Sequence, residues 1–169
     1  RVSYSNNTIT VDSRNINAYK IEENLMREMR SSVVFLGGIL GRTNKAVISN
    51  PGGCELGPRP IDLHLSALKK LGTVITEEHG YLNCEAPNGL IGNEIHLTFP
   101  SVGATENVIL AASVAKGTTM IFNAAREPEI CDLANFVKNV VTDNIMPSDV
   151  YVRARELNFP LDAHTAALL

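Results

Sequence analysis

The feature that most constrains this chain is a repeat inside it. Val2-Ser3-Tyr4 and Thr8-Ile9-Thr10-Val11 flank the turn formers Asn6-Asn7, and Val74-Ile75-Thr76 and Tyr81-Leu82-Asn83-Cys84 flank His79-Gly80. Apolar residues alternating on either side of a two-residue turn predict a β-hairpin at each place. A weaker third copy runs through Ile145-Met146, a turn near Pro147-Ser148, and Val150-Tyr151-Val152. Helical patterns lie between the hairpins. Ile21 to Met29 reads as a short amphipathic helix, Ser32 to Leu40 as a buried helix, and Ala46-Val47-Ile48 as a short strand. Pro60 to Leu71 is a helix with clear punctuation: proline in its first turn, Asp62 near the start, Lys69 and Lys70 at the end, Gly72 as the stop. The same order then returns: a mostly apolar helix from Gly103 to Ala115, the strand Met120-Ile121-Phe122, the loop Asn123 to Glu127, and a helix from Pro128 to about Val140. Repeated units of helices and mixed strands predict an α/β or α+β domain with internal pseudo-symmetry.

The two halves differ in one connection. Asn50 and Asn123 each follow the short strand, and Pro60 and Pro128 each open the next helix. Nine residues separate the first pair and four the second, so five residues have been added to a connection the fold can make without them. An elaborated loop on a repeated scaffold is where function is expected. The enlarged loop reads Asn50-Pro51-Gly52-Gly53-Cys54-Glu55-Leu56-Gly57-Pro58-Arg59-Pro60. A lone cysteine thus sits among glycines and prolines, with an arginine five residues on and a helix start just beyond. Nearby cationic charge and a helix N-terminus lower a thiol's pKa, and the thiolate is the reactive form. The loop is suited to chemistry on an anionic substrate.

Bulk properties remove several other classes. The chain has 169 residues, enough for one domain with a true core. No apolar run approaches the ~18 residues a membrane span needs, and the longest apolar block, Val33 to Leu40, is interrupted by Gly37 and Gly38. No charged segment followed by an apolar one marks a secretory signal. A net charge of −3 with no basic run argues against a nucleic-acid surface. Cys54, Cys84 and Cys131 are odd in number and lack CxxC or HxxxH companions, which fits reduced cytoplasmic thiols better than a disulfide framework or a zinc site. The first residue, Arg1, is no initiator and falls in a strand-like segment, so the chain is expected to be part of a longer protein.

Three blocks carry a resemblance to a known family. They are Pro51-Gly52-Gly53-Cys54 with Gly57-Pro58-Arg59-Pro60-Ile61-Asp62-Leu63-His64, then Pro100-Ser101-Val102-Gly103-Ala104-Thr105-Glu106-Asn107, then Asn123-Ala124-Ala125-Arg126-Glu127-Pro128-Glu129-Ile130. In order and spacing, the stretch from about Asn15 to Val140 resembles the UDP-N-acetylglucosamine enolpyruvyl transferases (1-carboxyvinyltransferases), which act at the first committed step of peptidoglycan synthesis. The resemblance implies an inside-out α/β fold, helices inside and sheets outside, built from three similar units per domain. It implies transfer of the enolpyruvyl group of phosphoenolpyruvate to the sugar 3-hydroxyl with loss of phosphate, without cofactor or metal.

Carried over by position, the resemblance makes Cys54 the catalytic residue, a proton donor to the enolpyruvyl methylene carbon and the target of fosfomycin. It makes Arg30 and Arg59 contacts of the phosphoenolpyruvate and sugar-nucleotide pocket. Pro60, Ile61, Asp62 and Leu63 become the wall that holds the uridine, and Pro100, Ser101, Val102 and Gly103 the segment that approaches the nucleotide diphosphate. The last placement agrees with physical expectation, because Ser101 to Gly103 would open a helix, where free N–H groups favour phosphate. Phe99 stands where the family often has a lysine, so no charged contact is expected there. Residues 1–140 are read as the lobe carrying the cysteine loop and 141–169 as a divergent tail. The partner of the site would be a second domain of the parent enzyme, which supplies an aspartate base and further cations. The isolated chain is therefore expected to turn over negligibly.

Simpler readings exist for each residue. A free cysteine is among the most buried residue types, which suits Cys84 on its strand and Cys131 on its helix. Flanking prolines stiffen Arg59 for anion binding, whereas Arg30 alone would be an ordinary exposed arginine. His64 is expected to pack quietly within its helix. Glu127 and Glu129 are read as charges matched to a helix start rather than as bases. Two alternative functions remain open from the residues: a shikimate-pathway enolpyruvyl transferase relative, against which the Gly-Gly-Cys loop argues, and a non-catalytic fragment that binds a nucleotide sugar.

Overall fold

The computed structural model describes residues 2–12, 14–49, 61–140 and 148–153; for Arg30 and residues 138–140 and 148–153 it describes the backbone. The first hairpin joins β1 (Val2–Ser5) to β2 (Thr8–Val11), antiparallel, with Val2 opposite Val11 and Tyr4 opposite Ile9. Its turn residues Asn6 and Asn7 have φ of 47° and 60°. Two consecutive left-handed residues match the right-handed twist of the flanking strands, and asparagine tolerates that conformation. The second hairpin, β4 (Val74–Glu78) and β5 (Tyr81–Glu85), repeats the device with His79 at 52° and Gly80 at 78°.

Two units fill the space between and after these hairpins. The first contains α1 (Glu23–Glu28), a 3₁₀ turn (Arg30–Val34), α2 (Phe35–Thr43), β3 (Lys45–Ser49) and α3 (Asp62–Lys70). The second contains β6 (Glu94–His96), α4 (Val102–Ala112), β7 (Gly117–Phe122) and α5 (Pro128–Val140). Each unit crosses from an extended segment through helix to a parallel strand. In the first, Ile21 N donates to Val47 O at 3.0 Å and Val47 N to Tyr19 O at 2.8 Å; in the second, β6 pairs in parallel with β7. The sheets run β3-β5-β4 and β6-β7-β8, where β8 is Ser148–Arg153.

The helices form the centre. α4 buries seven positions, from Ala104 through Ala112, and packs against α2, α3, α5 and the 3₁₀ turn. A helix covered nearly all round belongs to a core. Its closest neighbour is α2, and Gly37 allows the approach: a Cβ there would lie 2.2 Å from the Asn107 carbonyl oxygen. The sheets cover this core from outside. On β5, Leu82 and Cys84 face inward, while most of β4 is exposed. The expected inside-out arrangement is thus the observed one.

Several expected boundaries shift. The buried helix expected over 32–40 begins as a 3₁₀ turn and becomes α-helical at Phe35. α3 starts at Asp62 rather than Pro60, which lies outside the described residues. The third hairpin is corrected in one arm. Val150-Tyr151-Val152 is a strand as expected, but Ser148 opens that strand rather than the turn, and β8 runs parallel to β7. The other arm, Ile145-Met146, lies outside the described residues. β6 was not anticipated.

Candidate active site

Three chain segments meet at one end of the helical core. The first turn of α4 is set by its N-cap: Ser101 is extended, and its side-chain oxygen accepts from Ala104 N at 3.4 Å. Capping leaves the Val102 and Gly103 amides without intrahelical acceptors, as at any helix start. The first turn of α3 carries Asp62, whose carboxylate suits the positive end of the helix dipole. The 3₁₀ turn carries Arg30 at its beginning and Val33 and Val34 at its end.

His64 and Asn107 bind these segments together. His64 is 8% exposed and Asn107 is fully buried. The Cε1–Nε2 edge of the His64 ring abuts Gly103, where an added Cβ would come within 3.2 Å of Cε1, 3.5 Å of Nε2 and 3.8 Å of Val34 Cγ2. A side chain at position 103 would require the His64 ring to give by a few tenths of an ångström. Asn107 Nδ2 donates to Val33 O at 3.1 Å and lies 3.0 Å from His64 Nδ1, while its Oδ1 accepts from Gly37 N at 2.5 Å. One carboxamide therefore ties α4 to the 3₁₀ turn, α2 and α3. Unpaired, these buried groups would each cost ~1–3 kcal/mol.

The structure thus gathers Ile61, Asp62 and Leu63 with Ser101, Val102 and Gly103, beside the end of the 3₁₀ turn that Arg30 opens. Asp62 and Pro100 are exposed, and Ile61, Leu63, Ser101, Val102 and Gly103 are half-buried, so this end is reachable from solvent. Cys54, Arg59 and Pro60 lie outside the described residues. Their flanks are described: β3 ends at Ser49, and Ile61 precedes α3. Ser49 is buried, and its hydroxyl has no hydrogen-bond partner among the described residues.

The remaining thiols are unsuited to nucleophilic work or incidental. Cys84 is buried on β5, and burial pushes its thiol up to about 11, with Lys69 pulling weakly the other way. Cys131 is exposed on α5. Glu106 on α4 is held above the usual carboxylate range by burial and then by Glu129. No cluster of metal-ligating side chains occurs among the described residues. Nor is any described helix long and apolar enough to cross a membrane.

Sequence reasoning took His64 as quiet and passed over Asn107. The signal for Asn107 was present: an asparagine inside an otherwise apolar helix must find buried partners. Finding them required the packing of α2 on α4.

Residues 1–144 match the family described as EPSP synthase (3-phosphoshikimate 1-carboxyvinyltransferase), and the chain belongs to that family. Among curated relatives, it is 54% identical over 140 residues to "UDP-N-acetylglucosamine 1-carboxyvinyltransferase 2" of Caldanaerobacter subterraneus subsp. tengcongensis, covering 83% of this chain and 33% of the relative. It is 49% identical over 136 residues to "UDP-N-acetylglucosamine 1-carboxyvinyltransferase 1" of Symbiobacterium thermophilum, covering 80% and 31%. The chain therefore spans about a third of the length of these relatives. The enolpyruvyl transferase NikO from Streptomyces tendae has the same fold, with a TM-score of 0.67 and 18% identity over 82% of this chain and 33% of that one.

Proposed function

We propose that residues 1–140 supply the cysteine-bearing, sugar-nucleotide-binding lobe of an enzyme that moves the enolpyruvyl group of phosphoenolpyruvate to the 3-hydroxyl of UDP-N-acetylglucosamine. This is the first committed step of peptidoglycan synthesis, carried out in the cytoplasm. The observation that carries the reading is the 54% identity, across 83% of the chain, to a protein named for that transfer. The geometry supports it, since the two helix starts and the 3₁₀ turn expected to hold the substrate meet through His64, Gly103 and Asn107.

In this reading Cys54 delivers a proton to the methylene carbon of phosphoenolpyruvate as the sugar oxygen bonds to its central carbon, and a base outside this chain takes the hydroxyl proton. A methyl proton then returns to the Cys54 thiolate as the bond from the central carbon to the phosphate oxygen breaks. Phosphate leaves with the proton that the base holds. Arg30 and Arg59 hold the phosphate, where guanidinium groups make paired, charge-assisted hydrogen bonds. Pro60, Ile61, Asp62 and Leu63 line the uridine, and Pro100, Ser101, Val102 and Gly103 face the diphosphate, whose charge the free first-turn amides of α4 favour. No cofactor enters the scheme. The substrates are small molecules, and the partner is the remainder of the enzyme.

Steady-state phosphate release tests the reading. The chain continued by the remaining two thirds of the Caldanaerobacter relative is expected to release phosphate only when both substrates are present. The Arg59→Ala variant is expected to lose activity by at least ~10²-fold, as when one transition-state contact is removed. The 169-residue chain alone is expected to be inert. Turnover with shikimate 3-phosphate in place of the sugar nucleotide, or release by the chain alone, would contradict the proposal.

A further inference from the structure

We infer that Asn107 is a positioning residue: it fixes His64 as the neutral tautomer with its proton on Nε2 and so sets the spacing between the first turns of α3 and α4. The orientation of the Asn107 carboxamide is determined by two backbone groups of fixed polarity. The Gly37 N–H can only donate, so the atom 2.5 Å from it is the oxygen. The Val33 carbonyl can only accept, so the atom 3.1 Å from it is the nitrogen. The same nitrogen is 3.0 Å from His64 Nδ1. An amide NH₂ has no lone pair to offer there, so Nδ1 must accept and the ring proton must sit on Nε2. A proton on Nδ1 would face an N–H across 3.0 Å with both groups buried.

This tautomer has a structural consequence. His64 is in the first turn of α3, two residues after Asp62, and its ring rests on Gly103 in the first turn of α4. The Asn107 bond fixes the ring's orientation, and the contact of its Cε1–Nε2 edge with Gly103 then fixes how far Asp62 and Leu63 stand from Ser101, Val102 and Gly103. The role in ligand binding rests on the proposed function, whereas the tautomer and the spacing do not.

The test uses the full 169-residue chain labelled with ¹⁵N-histidine. Two-bond ¹H–¹⁵N correlation at pH 7 is expected to show His64 with a protonated Nε2 and a bare Nδ1. A proton on Nδ1, or a doubly protonated ring, overturns the inference. The isosteric variant Asn107→Asp replaces the donor with an acceptor. It is expected to move the proton to Nδ1 and to shift the Val102 and Gly103 amide resonances. An Asp variant with an unchanged tautomer and unchanged amides also overturns it. Should that variant fail to fold, the wild-type tautomer still decides. With UDP-N-acetylglucosamine as probe, the Asp variant is expected to bind about tenfold more weakly, and equal affinity despite a switched tautomer removes the positioning role. Failure of the wild-type chain to bind the probe counts against the proposed function, and the tautomer and amide results then judge this inference alone.

Discussion

The two strand-to-helix connections of the repeat differ in length and in how they are secured. After β7, residues 123–127 reach α5 in five residues, held by their own unit: Asn123 adopts φ of 58° and donates from Nδ2 to Leu97 O at 3.0 Å, and Ala125 N donates to the Thr105 hydroxyl at 3.1 Å. Ala124 and Ala125 are buried. After β3, residues 50–61 take twelve residues to reach α3. Equal steps back from Asn50 and Asn123 lead to Ser32 and Thr105. Thr105 secures the short connection, whereas the Ser32 hydroxyl turns to Leu25 O at 3.4 Å. The comparison teaches that five residues and one hydroxyl suffice to close the unit. The extra residues of the first connection bring Cys54 and Arg59, the two residues on which the proposed function rests.

The largest effect should come from making the two connections alike. Replacing residues 51–59 by Ala-Ala-Arg-Glu, the sequence of 124–127, is expected to abolish phosphate release by the completed enzyme. Stability should change by less than ~1 kcal/mol, because halving a loop alters its closure entropy by only about 0.6 kcal/mol. Urea unfolding checks the second half of this statement. Loss of the cooperative transition would mean that the long connection is needed to fold, and the comparison would break.

Next in size is the hydroxyl that secures the short connection. Thr105→Val keeps the shape and leaves the buried Ala125 N–H unpaired, which should cost about 1–3 kcal/mol in urea unfolding. The counterpart, Ser32→Ala, removes only a long bond to Leu25 O and should cost under ~1 kcal/mol. Equal losses at the two positions would erase the distinction between the units. The effect that is smallest at neutral pH concerns alkalinity. Burial raises the Cys84 thiol from 9.0 to about 11, so the folded state disfavours the thiolate that the unfolded chain forms more easily. That penalty is absent below pH 9 and is felt as pH rises from 9 to about 11. Wild type should lose stability over that window relative to Cys84→Ala, and parallel pH profiles of the two would contradict the assignment.

Much of this architecture was legible because it is written in local chemistry. Asn6-Asn7 and His79-Gly80 announce hairpins through their tolerance of left-handed backbone, and Asp62, Lys69, Lys70 and Gly72 frame α3 through the helix dipole and stop signals. The helix start at Ser101 to Gly103 was expected too, and the structure makes Ser101 its cap, a side chain satisfying an amide three residues on. What was not legible depends on contacts distant in sequence. β6 is only Glu94-Ile95-His96, too short to show a period, and exists because β7 offers it a parallel edge. The direction of β8 is likewise set by its neighbour, β7. Asn107 looks like a blemish in an apolar helix until Gly37, Val33 and His64, up to 74 residues away, come to meet it.

The central claim is that the long connection after β3 is the reactive element, and covalent labelling tests it most directly. The completed enzyme would be incubated at pH 8 with fosfomycin, with and without UDP-N-acetylglucosamine, and the adduct located by peptide mass. The account predicts one adduct, on Cys54, forming faster with the sugar nucleotide present. Cys84 should stay unmodified, since a thiol near 11 holds roughly a thousandth of its population as thiolate at pH 8. An adduct on Cys84 or Cys131 with Cys54 left free, or no adduct under conditions in which the enzyme turns over, would contradict it.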